Sequence, residues 1–177
     1  LMEGIFEARI SVGEIRKHGD FGLGTFNDLD GEMVVLDGLV YRVDSTGKVH
    51  GMSDDVETPF ACITRYRPLT ADFFSGTMNH EAFEVFLKSL VPSFNLIYAF
   101  RIEGRFDFVK TRSVPRQERN RPLVEVAAEQ PVFTFEDVEG TLVGFYTPFF
   151  LASLNVPGFH LHFLTGDFSS GGHLLEC

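Results

Sequence analysis

Three of the six histidines in this 177-residue chain fall within fourteen residues: His160, His162 and His173. In a β-strand, residues i and i+2 project from the same face about 6 to 7 Å apart, so His160 and His162 can converge on one ion. The segment Thr165–Gly172 contains Gly, Asp and Ser, which suit a chain reversal that returns His173 beside the first two. The spacing therefore predicts a metal site.

Three neutral imidazoles would leave a zinc ion with its full charge and an open position for water or substrate, which is typical of catalytic sites. Structural zinc normally has four protein ligands. The alternative is that His160 and His162 are a chance pair on a solvated strand and that His173 is a core residue. Asp167, within the reversal, could contact an imidazole, but a turn residue that caps its own loop is the favoured interpretation.

Composition and charge limit the classes of partner. The chain is 44% hydrophobic and 23% charged, which is typical of a globular protein with a sizeable core. Its formal net charge of −10 argues against binding to nucleic acid or to an anionic membrane, because both require a basic surface. An acidic substrate would therefore need a locally positive pocket, supplied by a metal or an Arg.

Cysteine content and hydropathy bear on the compartment. Cys62 and Cys177 are far apart in sequence and form neither a disulfide framework nor a thiolate metal site. No apolar run reaches the length of a membrane span, and the visible chain carries no targeting signal. The cytoplasm is the default expectation, and a secreted form stays open.

The first half of the chain should position part of this site on short strands. A helix is predicted from Ser11 to His18, with Ser11 as its cap. The hairpin signals Asp30-Gly31 and Asp37-Gly38 then divide a β-meander. Its predicted strands are Phe21–Phe26, Glu32–Asp37 and Leu39–Asp44, followed by Pro59–Tyr66.

The second half is predicted to contain one good helix and further strands. Apolar residues at helical spacing in Asn79–Val91 indicate that helix, and Glu103-Gly104 suggests a hairpin between Asn95–Ile102 and Arg105–Arg112. The remaining predicted elements are the strands Val132–Phe135, Thr141–Tyr146, Phe159–Leu164 and His173–Glu176, with a helical turn near Phe149–Leu154. The histidines other than the three above, His18, His50 and His80, are expected on surfaces or in turns.

These elements predict an α+β fold, mostly antiparallel or mixed β-sheet in two packed lobes with few helices. The N-terminal β-lobe should span about 1–114, and a Pro-rich polar connection should span 115–131. The metal site is expected on the second lobe, a zinc-binding β-lobe at 132–177. Because Leu174–Cys177 reads as the opening of a strand without a cap, a C-terminal segment is expected to be missing.

Four motifs occur together in this chain: GLGTF at 22–26, DGEMVVLDG at 30–38, RSVP at 112–115 and GFHLHFLTGDFSSGGH at 158–173. In order and approximate spacing, they closely resemble the α-acetolactate decarboxylase family over nearly the whole chain. The resemblance implies that the three histidines bind Zn²⁺, that Glu32 and Arg112 line the pocket, and that Thr25 lies close by. It also implies a homodimer and a further catalytic Glu in a C-terminal segment beyond Cys177.

The function implied by this resemblance is a carboxy-lyase reaction that converts the small molecule 2-acetolactate to acetoin and carbon dioxide. Zinc is expected to chelate the ketone and hydroxyl and stabilise an enediolate. Arg112 would bind and orient the carboxylate, and Glu32 would act as the proton donor to the enediolate or as the partner of the hydroxyl. Without the resemblance, Glu32 could be a solvated hairpin residue and Thr25 an ordinary strand residue. Another three-histidine metalloenzyme on a cupin-like scaffold, or a non-catalytic relative, stays open as an alternative.

Overall fold

The computed structural model describes residues 7–117, 126 and 129–177. Its first part contains strands β1 (Ile10–Ser11), β2 (Phe21–Thr25), β3 (Glu32–Leu36), β4 (Leu39–Val43), β5 (Val49–Gly51), β6 (Glu57–Thr58) and β7 (Phe60–Thr64), with helix α1 (Val12–His18) and a 3-10 turn (Asn27–Leu29). The second part contains helix α2 (His80–Ser89), strands β8 (Tyr98–Arg112), β9 (Val132–Thr147), β10 (Gly158–Thr165) and β11 (Gly171–Glu176), and a 3-10 turn (Phe149–Leu151).

Both predicted helices are present; α1 begins at the expected Ser11 cap, and α2 begins at a cap formed by Asn79. Ser11 Oγ accepts a hydrogen bond from the backbone N–H of Glu14 at 3.2 Å, and Asn79 Oδ1 accepts one from Ala82 at 2.9 Å. Such caps satisfy backbone donors that would otherwise lack a partner at the helix start.

The first sheet is antiparallel, with strand order β5-β4-β3-β2-β7. The predicted turn at Asp37-Gly38 is confirmed: these residues have φ values of +52° and +76°, as a two-residue hairpin turn requires. The other predicted hairpin turn, at Asp30-Gly31, is not a two-residue turn. Asp30-Gly31 is only the end of a longer β2–β3 connection that contains the 3-10 turn. Gly31 is needed there because its φ is +88° and an added Cβ would lie 2.3 Å from the Val43 carbonyl oxygen.

The second sheet closes on itself, because β9 pairs with β8 and β10 while β11 pairs with β10 and β8. The hairpin predicted at Glu103-Gly104 was wrong. Gly104 lies in the middle of the 15-residue strand β8, directly opposite Gly140. The strands predicted at 132–135 and 141–146 are likewise parts of one 16-residue strand, β9. Pairing along the full length of β8 and β9 overrides the local turn preference of the Glu-Gly dipeptide.

Strand β8 was predicted in the N-terminal lobe, but it belongs to the second sheet. The sequence assigned 98–112 to the N-terminal β-lobe at 1–114, but β8 pairs with β9 and β11. The division between the two sheets therefore falls before β8. Most of the connection predicted at 115–131 lies outside the described residues.

The two larger sheets pack face to face between the two helices, and β1 and β6 form a separate two-stranded sheet. Apolar side chains from both sheets form the central core: Phe21, Leu23, Val34, Leu36 and Val43 from the first, and Val143, Phe145 and Leu164 from the second. Helix α1 covers the outer face of the first sheet, where Val12 and Ile15 join the core. Helix α2 packs through Phe83 and Leu87 against the face of the second sheet that carries Leu161 and Phe163. The predicted α+β class, mostly antiparallel with few helices, is confirmed.

In the ranges 7–117 and 129–177, none of the helices is long and apolar enough to cross a lipid bilayer.

Candidate metal centre

The first two histidines lie on β10, on the face that packs toward the first sheet. Neighbouring side chains along a strand point to opposite faces, so His160 and His162 share one face while Leu161 lies on the other, in the core beneath α2. His162 is fully buried and His160 is 8% exposed. The i, i+2 spacing therefore brings both imidazoles to the same face of the strand, as the sequence predicted.

The third histidine returns beside them through the β10–β11 hairpin. His173 lies directly opposite His162 in the antiparallel register, so both side chains project from the same face. Asp167, at the exposed tip of this hairpin, accepts hydrogen bonds from Thr165 Oγ1 at 2.7 Å and from the backbone N–H of Ser169 at 3.0 Å. Asp167 therefore caps its own turn, as the favoured interpretation had it.

The three imidazoles converge at distances that fit a single cation. His160 Nε2 lies 3.2 Å from His162 Nε2 and 3.2 Å from His173 Nδ1. All three candidate ligand atoms lie within 4.8 Å of one another. For zinc–nitrogen bonds of about 2.0 to 2.1 Å, the edge of a tetrahedron is about 3.3 Å. Two of the three separations therefore match tetrahedral coordination closely.

Hydrogen bonding favours a cation at this position. The Nδ1–H of His162 donates to the backbone carbonyl of Met33 at 2.8 Å, which leaves the Nε2 lone pair of a neutral ring free to bind an ion. A proton on His160 Nε2 could be donated to only one of its two imidazole neighbours, which leaves the other close pair of nitrogens without a hydrogen bond. A shared cation would instead accept a lone pair from each of the three nitrogens.

The environment also keeps the three imidazoles unprotonated. Burial lowers the pKa of His160 to about 4, and the charge of Arg112 acts in the same direction. Burial lowers the pKa of His162 and of His173 well below the usual value. The three rings are therefore neutral near pH 7, which is the form that binds metal.

Arg112 joins the site through the pairing of β11 with β8. It lies opposite His173, so that His162, His173 and Arg112 form one row across three strands. The Nε atom of Arg112 is buried and has no hydrogen-bond partner among the described residues. The structure thus brings the predicted Arg beside the histidines and leaves one of its donors available.

Glu32 comes from the first sheet and faces the histidines across the interface. Its Oε2 lies 3.5 Å from His162 Nε2, and the residue is only 9% exposed. Burial raises the pKa of Glu32 to about 8, although the charge of Arg112 opposes this rise. The Glu32 carboxyl is therefore not a solvated hairpin group, and near pH 7 it carries a proton.

Thr25 lies directly opposite Glu32 in the β2–β3 pairing. Its Oγ1 donates a hydrogen bond to the carbonyl oxygen of Gly31 at 2.8 Å, which ties down the connection that precedes Glu32. This contact is structural. A contact between Thr25 and substrate stays a prediction.

The three remaining histidines do not join this cluster. His18 and His50 are exposed and lie near Glu14 and Asp44 respectively, while His80 opens α2.

Sequence reasoning missed two features that shape the site. The Met33 carbonyl that orients His162 is a backbone group, so no side-chain motif could have identified it. Thr111 was also missed: it is completely buried behind β11, and its hydroxyl donates to the Gly171 carbonyl at 3.0 Å.

The amino-acid sequence of this chain is similar to those of known proteins from one family. A family model described as alpha-acetolactate decarboxylase matches residues 1–177. The alpha-acetolactate decarboxylase of Brevibacillus brevis is 44% identical over 99% of this chain and 62% of its own length. That of Methanosarcina mazei is 43% identical with the same two coverages, 99% and 62%. The chain thus spans 62% of the length of these two curated relatives.

Solved structures agree in fold. The crystal structure of alpha-acetolactate decarboxylase from Bacillus subtilis strain 168 superposes with a TM-score of 0.96 at 41% identity, covering 99% of this chain and 75% of that one. A Staphylococcus aureus protein of unknown function, described as similar to alpha-acetolactate decarboxylase, has a TM-score of 0.94 at 30% identity, with coverages of 99% and 75%.

The geometry predicts that the affinity for a divalent metal ion, for which zinc serves as the probe, depends on His162 and not on an exposed histidine. We expect His162→Ala to raise the zinc dissociation constant by at least about 100-fold, because the ion would then be held by only two of its three protein ligands. His50→Ala, at an exposed histidine, is the matched control and should bind zinc as the unaltered chain does. Competition with a chromophoric chelator measures both constants. Equal affinities for the two variants would contradict the assignment of the site.

Proposed function

Because this chain belongs to the alpha-acetolactate decarboxylase family, we propose that it catalyses the metal-dependent loss of carbon dioxide from 2-acetolactate to give acetoin. The observation that carries the proposal is the cluster of three neutral imidazoles beside Arg112 and Glu32. The cluster offers a cation site, a guanidinium and a protonated carboxyl around one position, and the reaction needs one group of each kind.

We propose zinc as the resident ion. The candidate ligand set is nitrogen alone, and imidazole suits zinc as well as copper, iron and nickel. The 3.2 Å separations favour the tetrahedral geometry that is usual for zinc. When bound, the ion supplies an electrophile for the ketone and hydroxyl oxygens, which lie on adjacent carbons of the substrate.

Arg112 is suited to the substrate carboxylate. The carbon–carbon bond to the carboxylate breaks in the reaction, and its electron pair moves toward the ketone oxygen as carbon dioxide leaves. A guanidinium can hold the two carboxylate oxygens before that step, and the unpartnered Nε of Arg112 is available to do so. Since this contact is strongest in the ground state, it orients the substrate more than it accelerates the bond cleavage.

Glu32 is suited to the final proton transfer. After carbon dioxide has left, the carbon that carried it must gain a proton to become the carbinol carbon of acetoin. The Glu32 carboxyl, whose pKa burial raises to about 8, lies 3.5 Å from His162 Nε2, at the edge of the metal site. A donor in this position would deliver its proton from one fixed side.

The resemblance also implies a homodimer, and we keep this assembly as a proposal. Sedimentation equilibrium at twice the chain mass of 19.9 kDa would support it, and a 19.9 kDa species alone would contradict it.

The direct test of the proposed reaction is acetoin formation. Zinc-loaded protein incubated with racemic 2-acetolactate should produce acetoin faster than a blank without protein, and a chelator should abolish the excess. If the protein binds zinc but acetoin forms no faster than in the blank, the reaction proposed for this chain is wrong. That result would favour a family member with a non-catalytic metal site.

Substitution of the proposed proton donor should separate metal binding from turnover. Glu32→Gln keeps the size of the side chain but removes the acidic proton, so we expect an unchanged zinc content and a kcat lowered by about 100-fold or more. Zinc analysis and steady-state kinetics measure the two properties. Near-normal acetoin production by this variant would rule out Glu32 as the donor.

Substitution of Arg112 should act on substrate binding. We expect Arg112→Ala to raise KM by about 10- to 100-fold with a smaller change in kcat, because it removes a charged contact made before carbon dioxide leaves. Arg105→Ala is the control on the same strand, since Arg105 is exposed and pairs with Asp137. A loss confined to kcat in Arg112→Ala would contradict this role.

A further inference from the structure

The third histidine meets the other two through a different ring nitrogen. His160 and His162 face each other through Nε2, whereas His173 presents Nδ1 to His160. Nδ1 is the ring nitrogen nearer the main chain, so an ion bound there lies close to the backbone of its residue. A small displacement of β11 would therefore move this ligand atom directly, with little room for the side chain to compensate.

The backbone before His173 is held by hydrogen bonds from two sides. The Thr111 hydroxyl donates to the carbonyl oxygen of Gly171 at 3.0 Å. The N–H of Gly171 donates to the Gly47 carbonyl at 3.1 Å, in the loop between β4 and β5. Thr111 is completely buried, so no water competes for its hydroxyl. The Gly171 residue is thereby fixed between the second sheet and a loop of the first.

Gly172, the next residue, packs its backbone against Thr111. Gly172 has a φ of +140°, and an added Cβ would lie 2.6 Å from the Arg112 carbonyl oxygen and 2.9 Å from Thr111 Oγ1. The close approach and the positive φ both require glycine here. The direction in which the chain enters His173 thus depends on its contact with Thr111.

Thr111 does not line the site itself. It is the neighbour of Arg112 on β8, and adjacent strand residues point to opposite faces, so its side chain lies on the far side of the sheet from the metal centre. Any effect of Thr111 on the metal must therefore pass through the backbone of Gly171 and Gly172. This distinguishes it from Arg112 and Glu32.

We propose that Thr111 is a positioning residue for the metal site, whose hydroxyl fixes the Gly171–Gly172 backbone and so directs His173 Nδ1 at the cation. The proposal rests on the metal site of the proposed function but not on the reaction. A threonine that only stabilised the fold would affect unfolding and leave the metal geometry unchanged. Metal affinity and coordination geometry therefore separate the two roles.

The test compares variants that keep or remove the hydroxyl. Thr111→Ala should raise the zinc dissociation constant by about 10- to 100-fold, the range typical of groups that orient a ligand, and Thr111→Ser should restore the original affinity. The visible absorption of the Co²⁺-loaded protein should change in band intensity for the alanine variant and remain unchanged for the serine variant. Thr111→Val, which fills the volume without a donor, replaces the alanine variant if that does not fold.

Thr147→Ala is the matched control for buried threonines. Thr147 is also completely buried in the closed sheet, but its Oγ1 accepts a hydrogen bond from Asn155 Nδ2 at 3.3 Å and holds a different segment. We expect this variant to lose stability with its zinc affinity unchanged.

Equal zinc affinity in the serine and alanine variants, or an equal loss in Thr147→Ala, would overturn the role of Thr111. An unaltered chain that bound no zinc would overturn the metal site and this inference together. Normal zinc binding without acetoin formation would overturn only the reaction.

Discussion

The site depends on the convergence of three imidazole nitrogens from two antiparallel strands that pack against a second sheet. The i, i+2 spacing on β10 brings His160 and His162 to one face, and the β10–β11 register brings His173 opposite His162. The Nδ1–H of His162 then donates across the interface to the Met33 carbonyl. This hydrogen bond joins the two sheets at the metal centre and fixes which nitrogen faces the ion.

The interface between the sheets also determines the charges of the groups around that centre. Burial keeps the histidines neutral and Glu32 protonated, so Arg112 is the charged group of this set near pH 7. A bound divalent cation would add to that positive charge. In an acidic protein with a formal charge of −10, the buried groups around this centre are thereby locally positive, which would favour a small carboxylate there despite repulsion at longer range.

The sequence predicted those parts of the site that depend on local spacing. The strand period identified His160 and His162, and the Gly- and Ser-containing reversal identified His173. The cap at Ser11 identified the first helix, and the apolar spacing in Asn79–Val91 identified the second. The Glu103-Gly104 turn was wrong because a local preference cannot reveal that β9 pairs along the whole of β8. Turn chemistry decides the conformation only where no partner strand is available.

Other features could not be predicted because they depend on contacts between distant parts of the chain. Arg112 lies opposite His173 only because β11 pairs with β8, across 61 positions of sequence. The Met33 carbonyl reaches His162 across 129 positions. Thr111 donates its hydrogen bond to the Gly171 backbone, so its residue type alone gave no indication of a role at the metal centre. Resemblance to the family identified Arg112 and Glu32, but only the packing of the two sheets accounts for their proximity.

X-ray absorption spectroscopy of the zinc-loaded protein tests the convergence most directly. We predict a first shell of nitrogen or oxygen atoms at about 2.0 to 2.1 Å, with the outer-shell scattering of three imidazole rings and no sulfur. A shell with one or no imidazole ring, or one that contains sulfur, would contradict the account, because the three nitrogens would then not share an ion.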